Sequence, residues 1–119
     1  VSGATVSPVP LRVLFAGTPD VAVPALTALI EDPRFEVVAV LTNPDRARGR
    51  SSSPQRSAVA ELAHHHDLPL LQPMRPVDAI DDIRSLGAHV GAVVAYGALL
   101  PRRVLETLPL GFINLHFSL

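Results

Sequence analysis

The chain has 119 residues, 48% apolar and 18% charged, with a formal net charge of −1 and no cysteine. That balance suits one small globular domain with enough apolar material for a core, and it excludes disulfides, thiolate metal centres and polyanion binding by bulk charge. No apolar run is long enough to span a bilayer, and the opening VSGATVSPVP lacks the basic start and long apolar middle of a signal peptide. Residues 1–10 are therefore expected to form a flexible tail ahead of a domain over 11–119, with the cytoplasm as the default location.

Leu11 to Ala16 (LRVLFA) is a short apolar run that predicts a strand, and the following Gly-Thr-Pro-Asp predicts a tight turn into a helix. Thr18 can cap that helix through its hydroxyl, and Pro19 suits the first helical position because its missing N–H would be unpaired anyway. The helix is expected to reach about Ile30, with Val23, Leu26, Leu29 and Ile30 on one face, and to stop at Asp32-Pro33. Glu36 to Thr42 (EVVAVLT) reads as a second strand, followed by the polar loop NPDRARGRSSSP. Helical spacing returns over Gln55 to His66 through Val59, Leu62 and Ala63. Leu68 to Leu71 predicts a third, short strand. Val77, Ile80, Ile83 and Leu86 predict a helix over Val77 to Leu86, closed by Gly87. His89 to Ala95 reads as a fourth strand, Pro101 to Leu108 as a short helix, and Phe112 to Phe117 as a fifth strand.

Strand and helix thus alternate strictly, and several strands are continuous apolar runs, as expected when helices cover both faces of a parallel sheet. The predicted fold is α/β, doubly wound, with a mainly parallel sheet. Ligands of such sheets bind outside the carboxyl ends of the strands. Here those ends are GTPD, NPDRARGR, YGALLP and the final Ser118-Leu119.

The last stretch, GFINLHFSL, carries two polar side chains in an apolar run. Side chains alternate across a strand, so Ile113, Leu115 and Phe117 point to one face and Asn114, His116 and Ser118 to the other. An Asn amide and a protonated imidazole offer donors to an oxygen that gains negative charge, and a His moves protons near neutral pH. The pattern fits an acyl-transfer site with Asn114 and His116 stabilising an oxyanion. On spacing alone, the alternative that backbone groups or water satisfy both side chains stays open.

LRVLFAGTPD, LTNPDRARGR, VVAYGALLP and GFINLHFSL, in this order and spacing, resemble the methionyl-tRNA formyltransferases over Leu11 to Leu119. The Asn-x-His strand is common to folate-dependent formyltransferases, whereas the AGTPD turn and VVAYG strand end are more particular to the tRNA enzymes. The resemblance implies a Rossmann-like formyltransferase fold. It also implies formyl transfer from 10-formyltetrahydrofolate to the amino group of methionyl initiator tRNA. Asn114 and His116 match two members of the family's catalytic trio. The third, an Asp beyond an SLLP-x-x-R-G segment, has no counterpart in this sequence, nor does the family's C-terminal tRNA-holding domain. The chain is thus expected to be an N-terminal piece, incomplete at its C-terminus and inactive alone, with uncovered apolar surface or strand edge at β-strand five and a tendency to associate.

By the same resemblance, Tyr96, Gly97, Ala98, Leu99 and Leu100 line the folate pocket through backbone groups, and Ser118 and Leu119 begin another folate-contact segment. The plain alternative for Leu99 and Leu100 is a leucine pair packed under the helix that starts at Pro101. Gly17 and Thr18 would meet the methionyl end of the tRNA, or else form an ordinary tight turn; GxGxxG is absent, so no dinucleotide fingerprint is present. Arg46, Arg48, Arg50 and Arg56 lie in or beside the polar loop with Asp45, and Arg50 matches the family's characteristic arginine at the tRNA acceptor stem. Arginine forks suit phosphates, although SSSP stands where the family usually carries lysines. His64, His65 and His66 follow one another on a helix, about 100° apart, and cannot face one ion, so no metal is expected. Two other readings compete: a sugar-nucleotide or glycinamide-ribotide formyltransferase, and a non-catalytic α/β ligand-binding module. No membrane partner is implied, and the oligomeric state is not readable.

Overall fold

A computed structural model describes residues 9–47, 53–97 and 99–115. Five parallel strands stand in the order β3-β2-β1-β4-β5: β1 (Leu11–Gly17), β2 (Phe35–Leu41), β3 (Leu70–Leu71), β4 (Val90–Val94) and β5 (Phe112–Leu115). They alternate with α1 (Val23–Glu31), α2 (Ala58–His65), α3 (Ile80–Ser85) and α4 (Arg102–Leu105). The chain runs outward from β1 to β3, then returns across the sheet to β4 and β5. This is the predicted doubly wound α/β fold, with its switch point between β1 and β4.

Two cores sandwich the sheet. On one face Phe15, Val37, Val40 and Val94 pack with Leu26 of α1 and Val59 and Ala63 of α2. On the other, Leu14, Ala16, Leu41 and Val93 pack with Ile80 and Ile83 of α3 and Val104 of α4. Burial on both faces is why β1, β2 and β4 are apolar without alternation. Full burial of a side chain such as Phe15 or Leu26 is worth roughly 1.5–3 kcal/mol, so packing rather than helix propensity decides a short helix like α1.

The pairing of β1 with β2 slips between Val13 and Leu14, which face Val37 and Ala39 and leave Val38 as an extra residue. Val38 and Ala39 therefore both join the α3 side, and Val40 returns to the α1 side. Such a bulge leaves no mark in a run of valines.

Several boundaries differ from the predicted ones, for local reasons. Thr18 does not cap a helix; Pro19 holds the cap position of a short 3-10 turn over Asp20–Ala22, with no side-chain cap bond. The α-helix starts at Val23, where Pro24 sits in the first turn and sacrifices no intrahelical bond. Asp32 then ends α1 with extended backbone, as a residue before proline favours. Its carboxylate accepts bonds from the Arg34 backbone N–H at 2.9 Å and from the Arg34 guanidinium at 2.7 Å. These bonds hold the Asp32 carboxyl below the usual aspartate range. Helix α2 begins at Ala58 rather than Gln55, because Ser57 caps it by accepting the Ala60 N–H at 3.1 Å. The predicted helix over Val77 to Leu86 divides into a 3-10 turn, Pro76–Ala79, and α3. Gly87 does follow it with positive φ. The short helix shrinks to α4, Arg102–Leu105. Strand β5 is described to Leu115, and Phe117 of the predicted strand lies outside the described residues, as do residues 1–8 of the expected tail.

Candidate active site

At the carboxyl end of β1, Gly17 and Thr18 are both buried. A Cβ on Gly17 would stand 2.6 Å from the Val94 carbonyl and 3.0 Å from the Ala22 methyl, so only glycine lets β1 and β4 approach this closely. The Thr18 N–H donates to the Ala95 carbonyl at 3.2 Å, and its hydroxyl donates to the Tyr96 carbonyl at 3.0 Å. The crevice that a doubly wound sheet opens at its switch point is thus bridged here by Thr18. With that N–H engaged, Pro19 lacking one and Asp20 adding an acid, the turn does not resemble a phosphate cradle.

The strand-end segment after β2 joins the same cluster. Thr42 is fully buried and Ser57 nearly so; the Thr42 hydroxyl lies 3.2 Å from the Thr18 hydroxyl and 3.3 Å from that of Ser57. The Asn43 N–H donates to the Thr18 hydroxyl at 3.3 Å, and its side-chain amide donates to the Tyr96 carbonyl at 3.2 Å. Gln72, just past β3, donates to the Asn43 carbonyl at 3.3 Å and to the Asp45 carboxylate at 2.8 Å. A polar belt therefore crosses the carboxyl ends of β3, β2, β1 and β4. Thr42, Asn43, Ser57 and Gln72 were not singled out from the sequence. Ser57, directly before a helical apolar period, was the one readable signal.

After β4 the backbone turns sharply. Ala95 takes φ of 52° and Gly97 φ of 90°. A left-handed alanine costs on the order of 1 kcal/mol, and the bonds to Thr18 and Asn43 hold it there. Tyr96 points into the core on the α3 side, and burial raises its phenol pKa, so it stays neutral across the physiological range. The leucine pair separates: Leu100 packs against that core, but Leu99 is 94% exposed and does not lie under α4. Ala98 lies outside the described residues.

Strand β5 shows the predicted alternation. Ile113 and Leu115 line an apolar groove of about 310 Å³ with Ala25, Ala28 and Leu29 of α1. Phe112 packs on the α3 side, and Asn114, paired with Val93 in the ladder, faces that side too, with its side chain exposed near the strand's carboxyl end. The expected uncovered apolar surface is present, since Ile113 is 68% and Leu115 49% exposed. His116, Ser118 and Leu119 lie outside the described residues.

The polar loop is partly closed on itself. Arg46 and Gln55 form a two-way antiparallel bridge at 2.9 and 3.3 Å, which corrects the assignment of Gln55 to a helix. Arg56 stands 3.5 Å from the Glu61 carboxylate, an exposed pair of little energetic consequence. Arg48 and Arg50 lie outside the described residues. His64, His65 and His66 are exposed, and among the described residues no group of three or more His, Asp or Glu is placed to hold a metal ion. Nor is any described helix long and apolar enough to cross a membrane.

Residues 11–119 match the family model described as formyl transferase. The chain belongs to the formyl transferase family. Among its relatives, the methionyl-tRNA formyltransferase of Mycobacterium sp. (strain KMS) is 53% identical over 92% of this chain. The enzymes of the same name from Cutibacterium acnes and Bifidobacterium longum are 51% identical over 92% and 46% identical over 91% of it. The chain spans 36%, 35% and 33% of the length of these three relatives.

Proposed function

We propose that the protein of which this chain is part transfers a formyl group from 10-formyltetrahydrofolate to the amino group of methionyl initiator tRNA in the cytoplasm. The observation that carries this reading is identity of 46% to 53% with enzymes bearing that name, over at least 91% of this chain. The amine nitrogen attacks the formyl carbon, and the formyl oxygen takes up the negative charge. Collapse of the tetrahedral intermediate breaks the bond to N10 of the donor, which leaves with a proton. Asn114 and His116 donate to the charged oxygen, and His116 helps move the proton from amine to N10. The exposed Asn114 side chain at a strand's carboxyl end suits that role. Tyr96, Gly97, Ala98, Leu99 and Leu100, with Ser118 and Leu119, form the donor side, where Leu99 offers exposed apolar surface. Gly17 and Arg50 belong to the tRNA side, and Thr18 stands where that side meets the donor side. The proposal needs no metal.

The test is formylation of methionyl-tRNA by the complete gene product, with 10-formyltetrahydrofolate as donor. Asn114→Ala should lower turnover by ~10²–10³, the usual cost of one oxyanion donor. Its melting temperature should stay close to wild type, because Asn114 is exposed. Formylation of an amino-sugar nucleotide or glycinamide ribotide alone would overturn the acceptor, and no turnover of any amine would overturn formyl transfer itself.

A further inference from the structure

The buried hydroxyls at the strand ends form a chain with one possible direction. A hydroxyl has a single proton and a carbonyl can only accept. The Thr18 proton goes to the Tyr96 carbonyl. Thr18 Oγ1 must then accept, and it takes the Thr42 hydroxyl proton and the Asn43 N–H. With its own proton spent, Thr42 accepts from Ser57, whose oxygen in turn accepts the Ala60 N–H. Protons therefore point one way, from the cap of α2 through Ser57, Thr42 and Thr18 to the turn after β4. Each bond in such a line polarises the next, and each is shielded from water.

Thr18 is the only member of this line that touches both sides. It holds Asn43, which opens the segment carrying the arginines, and Tyr96, which opens the turn after β4. Its hydroxyl makes three bonds and the residue is 6% exposed, leaving little of it for a ligand. We propose that Thr18 is a positioning residue, not a substrate contact: its hydroxyl locks the turn after β4 and the arginine-bearing segment after β2 into one unit. Resting on the proposed formyl transfer, this means that the donor side and the tRNA side keep a fixed separation through the buried Thr18 hydroxyl, assisted by the bond from the Asn43 side-chain amide to the Tyr96 carbonyl.

The test compares Thr18→Val, which keeps the shape and removes the hydroxyl, with Thr18→Ser, which keeps it, both in the complete gene product. Thr18→Val should speed amide exchange about tenfold or more in both 43–47 and 95–97 while residues 13–16 stay protected, and Thr18→Ser should restore protection. In formylation assays kcat should fall about tenfold for Thr18→Val with each KM within about threefold, since each side of the site is intact and only their separation is lost. A raised KM with unchanged exchange would make Thr18 a ligand contact and overturn the proposal. Faster exchange throughout β1 and β4 would make it merely structural and also overturn it. Should Thr18→Val fail to fold, Asn43→Ala applies the same test through the second bond to Tyr96. If the wild type formylates nothing, the proposed reaction fails by itself, and the exchange pattern alone decides the coupling.

Discussion

Strands β1 and β5 are both parallel and mainly apolar, yet they live in different surroundings. In β1 the side chains from Val13 to Ala16 are at most 2% exposed, whereas in β5 Ile113 is 68% and Leu115 49% exposed. The difference lies in the neighbours: β1 has a strand on each side and helices over both faces, while β5, among the described residues, pairs only with β4. Their polar strand-end residues differ in the same way. Thr18 is enclosed and committed to the protein's own backbone, and Asn114 is open. Apolar sequence makes a strand possible; position in the sheet decides whether its polar residues build the scaffold or face a substrate.

Deletion of side chains gives the largest expected contrast. Phe15→Ala should cost about 3–5 kcal/mol, as large buried aromatics do, while Ile113→Ala should cost less than about 1 kcal/mol. Urea unfolding of the two variants measures this, and equal costs would mean that β5 is covered in solution. Glycine replacement gives a smaller contrast. Gly17→Ala should lose about 1–3 kcal/mol because its Cβ meets Val94, and no other residue at 17 should recover it. Gly111, which leads into β5, has φ of 71° and open space around it. Its replacement by alanine should lose about 1 kcal/mol, and Asn, which tolerates that conformation, should restore part of it in thermal melts. The smallest effect concerns Asp32, at the rim of the groove beside Ile113 and Leu115. Its bonds to Arg34 lower its pKa in the folded protein, so its contribution is present above the ordinary aspartate pKa and is lost as pH falls through the lowered one. Stability measured from neutral pH down to acid should therefore decline slightly less steeply in Asp32→Asn than in wild type.

The succession of elements was legible because periodicity is local. Leu26 and Ile83 fall on buried helix faces as their spacing predicts, and Ile113 and Asn114 take opposite faces of β5 because neighbours on a strand must. The turn at Gly17 was legible as a turn. That Thr18 would bridge two strands instead of capping a helix was not, since its partner Tyr96 is 78 residues away. The bridge from Arg46 to Gln55 spans only nine residues but was hidden because a polar loop carries no apolar period, and the exposure of Leu99 was hidden because it depends on which segments cover the turn after β4.

The amino-acid order by itself determined the alternation of strands and helices, the apolar faces and the Asn-x-His pattern, because each depends on neighbours within a turn or two of chain. Only the tertiary structure decided the bulge at Val38, the one-way line of hydroxyls and the unequal burial of β1 and β5. Those depend on which distant segments meet, and a hydrogen bond or a covered face exists only once both partners are in place.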